Sequence, residues 1–147
     1  MIRRKLMTAM VPLALLACAG NAAAATLAVT KTASCGCCAK WVEHMRKAGF
    51  EVTVRNVEDV TPTARRLAVP DKLRSCHTAE IEGYAIEGHV PVADIKRLLA
   101  QRPKAAGIAV PGMVMGSPGM EHGDHREPYQ TILFDKAGTT RVFASHN

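Results

Sequence analysis

The sequence predicts an α/β fold whose mixed sheet ends in an antiparallel hairpin, and three observations carry that prediction. Residues Leu27–Lys31 and Phe50–Val57 alternate apolar with polar and flank a stretch with apolar residues at helical spacing, the pattern of a parallel strand–helix–strand unit. A second helical stretch runs from Pro91 to Gln101, after another alternating segment. Near the end, Tyr129–Phe134 and Thr140–Ala144 face each other across Asp135-Lys136-Ala137-Gly138, which places glycine where a positive φ is wanted. With 147 residues, 48% apolar and 22% charged, the chain has the size and composition of one globular domain.

Each element has its own local reason. Leu27–Lys31 is rich in β-branched and apolar residues and reads as a first strand. The following helix begins in the segment Cys35-Gly36-Cys37-Cys38 and reaches Ala48, where Gly49 stops it; Cys38, Trp41, Val42 and Met45 form its inner face. Thr61-Pro62 opens a short helix, with proline at the first helical position, and Val69-Pro70 closes it. Residues 71–78 are irregular and contain Leu73, Cys76 and His77. Ala79–Glu82 and Tyr84–Glu87 alternate around Gly83, as a bent strand or a hairpin arm would. The Pro91–Gln101 helix is expected to bury Val92, Ile95 and Leu99, with Leu98 beside them, and Pro103 prevents its continuation. Gly107–Val110 is a short apolar strand broken by Pro111-Gly112. A long Gly/Pro-rich loop with Met113, Met115, Met120, His122 and His125 precedes the final hairpin. A cysteine-rich loop opening the first helix after the first strand is the outline of a thioredoxin-like single domain with insertions. In such folds a cis proline sits beside the thiols, a place that Val110-Pro111 is expected to fill.

Residues 1–25 read as a signal peptide. Arg3, Arg4 and Lys5 are the charged region, Leu6–Ala19 the apolar region, and Ala22–Ala25 the small residues before cleavage at Thr26. The expected folded domain is therefore 26–147, in the periplasm. Leu15-Leu16-Ala17-Cys18 loosely fits a lipoprotein site, so no membrane association is expected unless Cys18 is lipidated. The leader carries three of the six excess positive charges, no Lys/Arg run follows it, and the chain has six aromatic residues, so nucleic acid is not an expected partner.

The chemistry concentrates in the cysteines. Cys35, Cys37 and Cys38 lie within four residues, and Cys76 stands alone before His77. In an oxidising compartment the four would pair as Cys35–Cys38 with Cys37–Cys76, or as Cys35–Cys37 with Cys38–Cys76; a vicinal Cys37–Cys38 bridge is strained. At a helix N-terminus, free N–H groups and positive potential favour thiolate, so Cys37 or Cys38 is expected to ionise readily. Thiolates with thioethers and imidazole nearby form a soft ligand set that suits Cu(I). Zinc is the less favoured metal, because structural zinc sites present two separated ligand pairs rather than three ligands at one end. The candidate ligands are Cys35, Cys37, Cys38, Cys76, Met113, Met120 and His89, with copper ions and other periplasmic copper-handling proteins as partners. Cys35-Gly36-Cys37-Cys38 also contains a CxxC motif, so a thiol–disulfide oxidoreductase is the alternative function. His122 and His125 read equally as a metal pair or a solvated loop.

Together, Cys35-Gly36-Cys37-Cys38 with Trp41, Cys76-His77-Thr78, Glu87-Gly88-His89-Val90-Pro91, and Val110-Pro111-Gly112-Met113 followed by Gly116-Ser117-Pro118-Gly119-Met120-Glu121 make a specific combination. It resembles the small exported metal-binding proteins of the CopG copper-resistance type, over roughly Leu27 to Phe134. The resemblance implies a thioredoxin-like fold, a periplasmic setting and a copper cluster held by cysteines and linked to copper tolerance. By position, its thiols would be Cys35, Cys37, Cys38 and Cys76, with the Met113 loop beside them. Val114 departs from the pattern, since relatives often carry proline there.

Overall fold

The computed structural model describes residues 25–147; Cys18 and all but the last residue of the expected signal peptide lie outside the described residues. The elements are β1 (Thr26–Thr32), α1 (Gly36–Lys47), β2 (Glu51–Val57), α2 (Thr61–Arg66), a 3-10 turn (Asp71–Leu73), β3 (His77–Ile81), β4 (Tyr84–Glu87), α3 (Val92–Gln101), β5 (Gly107–Ala109), β6 (Tyr129–Phe134) and β7 (Thr140–His146). They build one seven-stranded sheet in the order β2-β1-β3-β4-β5-β6-β7. β1 with β2 and β4 with β5 pair in parallel; the other neighbours are antiparallel. The mixed α/β class and the closing antiparallel hairpin are thus as expected. No described helix is long and apolar enough to cross a membrane.

The alternating residues around Gly83 form a tight hairpin rather than a bent strand. Glu82 and Gly83 have φ of 48° and 84°, and two left-handed residues in a row make the turn whose twist matches the flanking strands. Two cores form because successive strand residues point to opposite faces. One joins Trp41, Val42 and Met45 of α1 to Ile95 and Leu98 of α3, Leu27 and Val29 of β1, and Ile86 of β4. The other sets Ala64 of α2 against Ala85, Ala109 and Phe134. Adjacent Ala85 and Ile86 therefore serve different cores.

Two expectations are corrected. The bond before Pro111 is trans, as among the described residues no peptide is cis; trans is the lower-energy form for most X–Pro bonds. α3 buries Asp94, Ile95 and Leu98, while Val92 and Leu99 are only partly covered. The cause is polar: the Asp94 carboxylate accepts from Thr131 Oγ1 at 2.5 Å and lies 2.9 Å from His146 Nε2. These partners draw Asp94 inward and turn the helix with it. They also carry β7 on to His146, whose ring stacks on Tyr129 at 4.6 Å.

Candidate metal centre

Cys35 is the N-cap of α1, with an extended backbone, and the Cys38 amide donates to its sulfur at 3.4 Å. Three positions along a helix place Cys38 over Cys35. The Cα atoms are 5.4 Å apart, within the range a bridge spans, and the two sulfurs form a disulfide. Cys38 therefore holds no thiolate in this form, which leaves Cys37 as the thiol at the helix entrance. Cys37 and Cys76 are free. The expected pairing of Cys35 with Cys38 is present without its companion bridge.

Cys76 arrives through strand pairing. β1 runs into α1, and β3 lies antiparallel beside β1 with Lys31 opposite His77, so the start of β3 lies at the end of β1. The Cys35 and Cys37 sulfurs are 3.5 Å apart, Cys38 Sγ lies 3.7 Å from the Cys76 carbonyl, and all four sulfurs fall within 4.8 Å of one another.

A buried carboxylate clamps the Cys76-His77 step. Glu87, on β4, accepts from the Ser75 amide at 2.7 Å and from Thr78 Oγ1 at 2.6 Å, gripping both sides of the dipeptide. Burial pushes the Glu87 carboxyl above its usual range, against the pull of Thr78, Ser75 and Arg74. Its signal in the sequence is an acid that directly follows the apolar pair Ala85-Ile86 and precedes Gly88-His89. Gly88 follows, and a Cβ there would meet the Val110 carbonyl oxygen at 2.5 Å, so only glycine lets the chain pass to His89.

His89 is fully buried. Its Nδ1 lies 2.8 Å from the Pro118 carbonyl, which only accepts, so Nδ1 carries the proton and the Nε2 lone pair faces Cys76 Sγ at 3.1 Å. His77 is equally buried, packed against Trp41 at 4.4 Å and edge-on to His89 at 5.1 Å. Its Nδ1 lies 3.6 Å from Cys76 Sγ and its Nε2 has no hydrogen-bond partner. Burial first, then the neighbouring Cys37, pushes the Cys76 thiol up to about 11.

Burial pushes His77 down to about 3, with His89 and Lys31 adding to the effect. The unfolded chain therefore takes up a proton near pH 6.5 that the fold refuses until about pH 3, so His77 makes metal-free protein less stable as pH falls through that window. The raised Glu87 acts with the opposite sign. Urea denaturation at pH 7.5 and pH 5.5 should show a smaller loss on acidification in His77→Gln than in the parent, by up to about 1.4 kcal/mol per pH unit. Equal losses in both would refute this.

The methionine loop is pinned over the cysteines. Gly119 has φ +87°, and a Cβ there would lie 2.7 Å from the Cys37 carbonyl oxygen and 2.8 Å from the Trp41 nitrogen. Its amide donates to Glu121, and Glu121 meets His44 of α1 at 2.8 Å. Pro118 beside it supplies the His89 partner. Gly119→Ala should therefore lift the loop from α1, free the His89 ring and weaken metal binding by about tenfold or more. An unchanged affinity would show that the loop only covers the site.

Cys35, Cys37, Cys38 and Cys76 are brought together, and His89 joins them through Cys76. Met120 lines a hollow of about 320 Å³ beside Cys37, with Gly36, Lys40, Met115 and His122. Met113 is 58% exposed and does not line it. His125 pairs with His122 through the backbone, and its Nε2 lies 3.7 Å from Glu127. The pairing of His44 with Glu121 and the roles of Glu87 and Pro118 had no reading in the sequence.

Residues 73–120 match a family model described as "Protein of unknown function, DUF411". Two solved structures are similar over nearly their whole length. Form 2 of the copper resistance protein CopG is 42% identical, with a TM-score of 0.81, covering 85% of this chain and 100% of that one. Form 1 is 43% identical, with a TM-score of 0.78, covering 82% and 96%. Among curated proteins, none matches the chain.

Proposed function

Because this chain belongs to the CopG copper-resistance family, we propose that it is a copper-binding protein that serves copper tolerance. The observation that carries this reading is the gathering of four cysteine sulfurs within 4.8 Å of one another, with a second group of Cys76, His77 and His89 beside them. Copper is the cargo, held as Cu(I) by the thiolates once the Cys35–Cys38 disulfide is reduced by a dithiol, which gives up two electrons and two protons and becomes a disulfide itself. Soft sulfur donors this close together suit Cu(I), and thiolates can each bridge two ions, so the cluster takes more than one. Zinc fits less well, since three of the four sulfurs come from one helix entrance. The copper is sequestered or passed through oxidoreduction, in exchange with other copper-handling proteins.

A thioredoxin-like core is supported by β1–α1–β2 followed by the β3–β4 hairpin and α3, with the cysteines at the start of α1. Export to the periplasm, with removal of residues 1–25, is supported by the charged, apolar and small-residue regions of that segment.

The test is elemental analysis with thiol counting on reduced, anaerobically purified protein. More than one copper per chain with four titratable thiols in the metal-free form is the expected result; copper-free protein after Cu(I) loading would overturn the reading. The disulfide at the helix start favours one second reading, a thiol–disulfide oxidoreductase. That activity would appear as reduction of insulin disulfides by metal-free reduced protein, lost in Cys35→Ser and in Cys38→Ser.

A further inference from the structure

We propose that the disulfide-containing form of the protein has its own metal site, Cys76–His77–His89, which takes one borderline divalent cation while the four-sulfur set cannot form. The inference rests on reading this region as a metal centre. It differs in the metal class, the ligands and the oxidation state of the protein in which the site exists.

The donor geometry supports it. The Cys76 sulfur lies 3.1 Å from His89 Nε2 and 3.6 Å from His77 Nδ1, and the three donor atoms fall within 4.8 Å of one another. Metal–sulfur and metal–nitrogen bonds of about 2.3 and 2.0 Å at a tetrahedral angle separate their ends by about 3.5 Å. The two separations bracket that value, so an ion between the donors requires only small shifts.

His89 is oriented as a ligand, and His77 turns its Nδ1 toward the same sulfur. The Pro118 carbonyl holds the His89 proton on Nδ1, as a backbone carbonyl orients a metal-bound histidine. That leaves the Nε2 lone pair directed at the Cys76 side. His77 is completely buried and its Nε2 has no partner. A polar ring hidden with an unmade hydrogen bond is costly, and apolar packing alone would be served better by phenylalanine. Its other ring nitrogen, Nδ1, is the one that faces Cys76, at 3.6 Å.

The disulfide then determines which set is available. Cys35 and Cys38 share a bond and offer no thiolate. Cys37 and Cys76 stay free, and of these two Cys76 is the one grouped with the imidazoles. One thiolate with two neutral imidazoles, the fourth position left to water, suits a divalent ion of the Zn(II), Co(II) or Cu(II) kind, whereas four thiolates suit Cu(I). Cys76 belongs to both sets, so the two occupancies exclude each other. Reduction of the bridge by a dithiol, which takes on the disulfide as it gives up two electrons and two protons, moves the site from one preference to the other.

Cobalt(II) is the probe, because it reports geometry and sulfur ligation in its spectrum. The chain lacking residues 1–25, disulfide intact and without reductant, is titrated with Co(II) alone under argon. One equivalent should bind, with a sulfur-to-cobalt charge-transfer band and the intense visible bands of a tetrahedral site. His89→Gln and His77→Gln should each weaken binding by at least about tenfold, and Cys76→Ser should remove the charge-transfer band. Thermal unfolding before titration checks that each variant is folded, and having two histidine variants keeps the test decisive if one is not. No binding at stoichiometric Co(II), octahedral bands without sulfur charge transfer, or histidine variants that bind as the parent does would each overturn the proposal. Absence of Co(II) binding in the oxidised protein alongside full Cu(I) loading of the reduced protein would overturn this inference alone.

Discussion

Cys76→Ser is expected to weaken Cu(I) binding by the reduced protein more than any other single substitution at the site. Cys76 is the one sulfur that does not come from the entrance of α1, and it belongs to both donor groups. Serine keeps the size but offers a hard oxygen where a soft anion is needed. The remaining three sulfurs sit on one side, and the ion loses the donor that closes the set from β3. Affinity should fall by well over tenfold, and the copper-to-protein ratio should fall with it. Cys35→Ser should also lower the ratio, but it removes a sulfur from the helix side and leaves the imidazole-bearing group intact. Competition with a Cu(I) chelator, followed by elemental analysis, measures both. Full binding retained in both variants would sink the four-sulfur cluster.

Trp41→Ala should have the largest effect on stability, a loss of about 3–5 kcal/mol, with a Tm lowered by roughly 10 °C or more. Trp41 is fully buried at the centre of the larger core. Its Nε1–H donates to the Val90 carbonyl at 2.9 Å, and its ring packs on His77 at 4.4 Å. Truncation leaves a cavity and an orphaned carbonyl together. Trp41→Phe keeps most of the volume and loses only the hydrogen bond, at about 1–3 kcal/mol. Urea denaturation of the metal-free protein separates the two. Equal effects of alanine and phenylalanine would show that packing contributes little here.

Much of this molecule was legible from local pattern. The face of α1 follows from the spacing of Cys38, Trp41, Val42 and Met45, all of which are buried. The stop at Gly49 follows from its φ of +92°, and the last hairpin turns at Gly138 with φ +84°. These features depend on residues within one or two turns of each other, where the period of helix or strand leaves little choice. The α3 face was less legible. Its apolar residues point to Val92 and Leu99, but Asp94 is drawn in by Thr131 and His146, which are 37 and 52 residues away. No periodicity carries that information.

The donor set divides in the same way. The presence of three thiols at a helix entrance, and of a lone cysteine beside a histidine, could be read directly from residue order. Which thiols are bonded could not, because two pairings were open until the Cα positions of Cys35 and Cys38 were known. The antiparallel pairing of β3 with β1 placed Cys76 beside the entrance to α1, and the turn of the methionine loop brought the Pro118 carbonyl to His89. Residue types and near-neighbour spacing establish which chemistry is on offer. Distances between groups 13 to 41 positions apart come from strand register and loop packing, and those distances decide that the sulfurs and imidazoles meet.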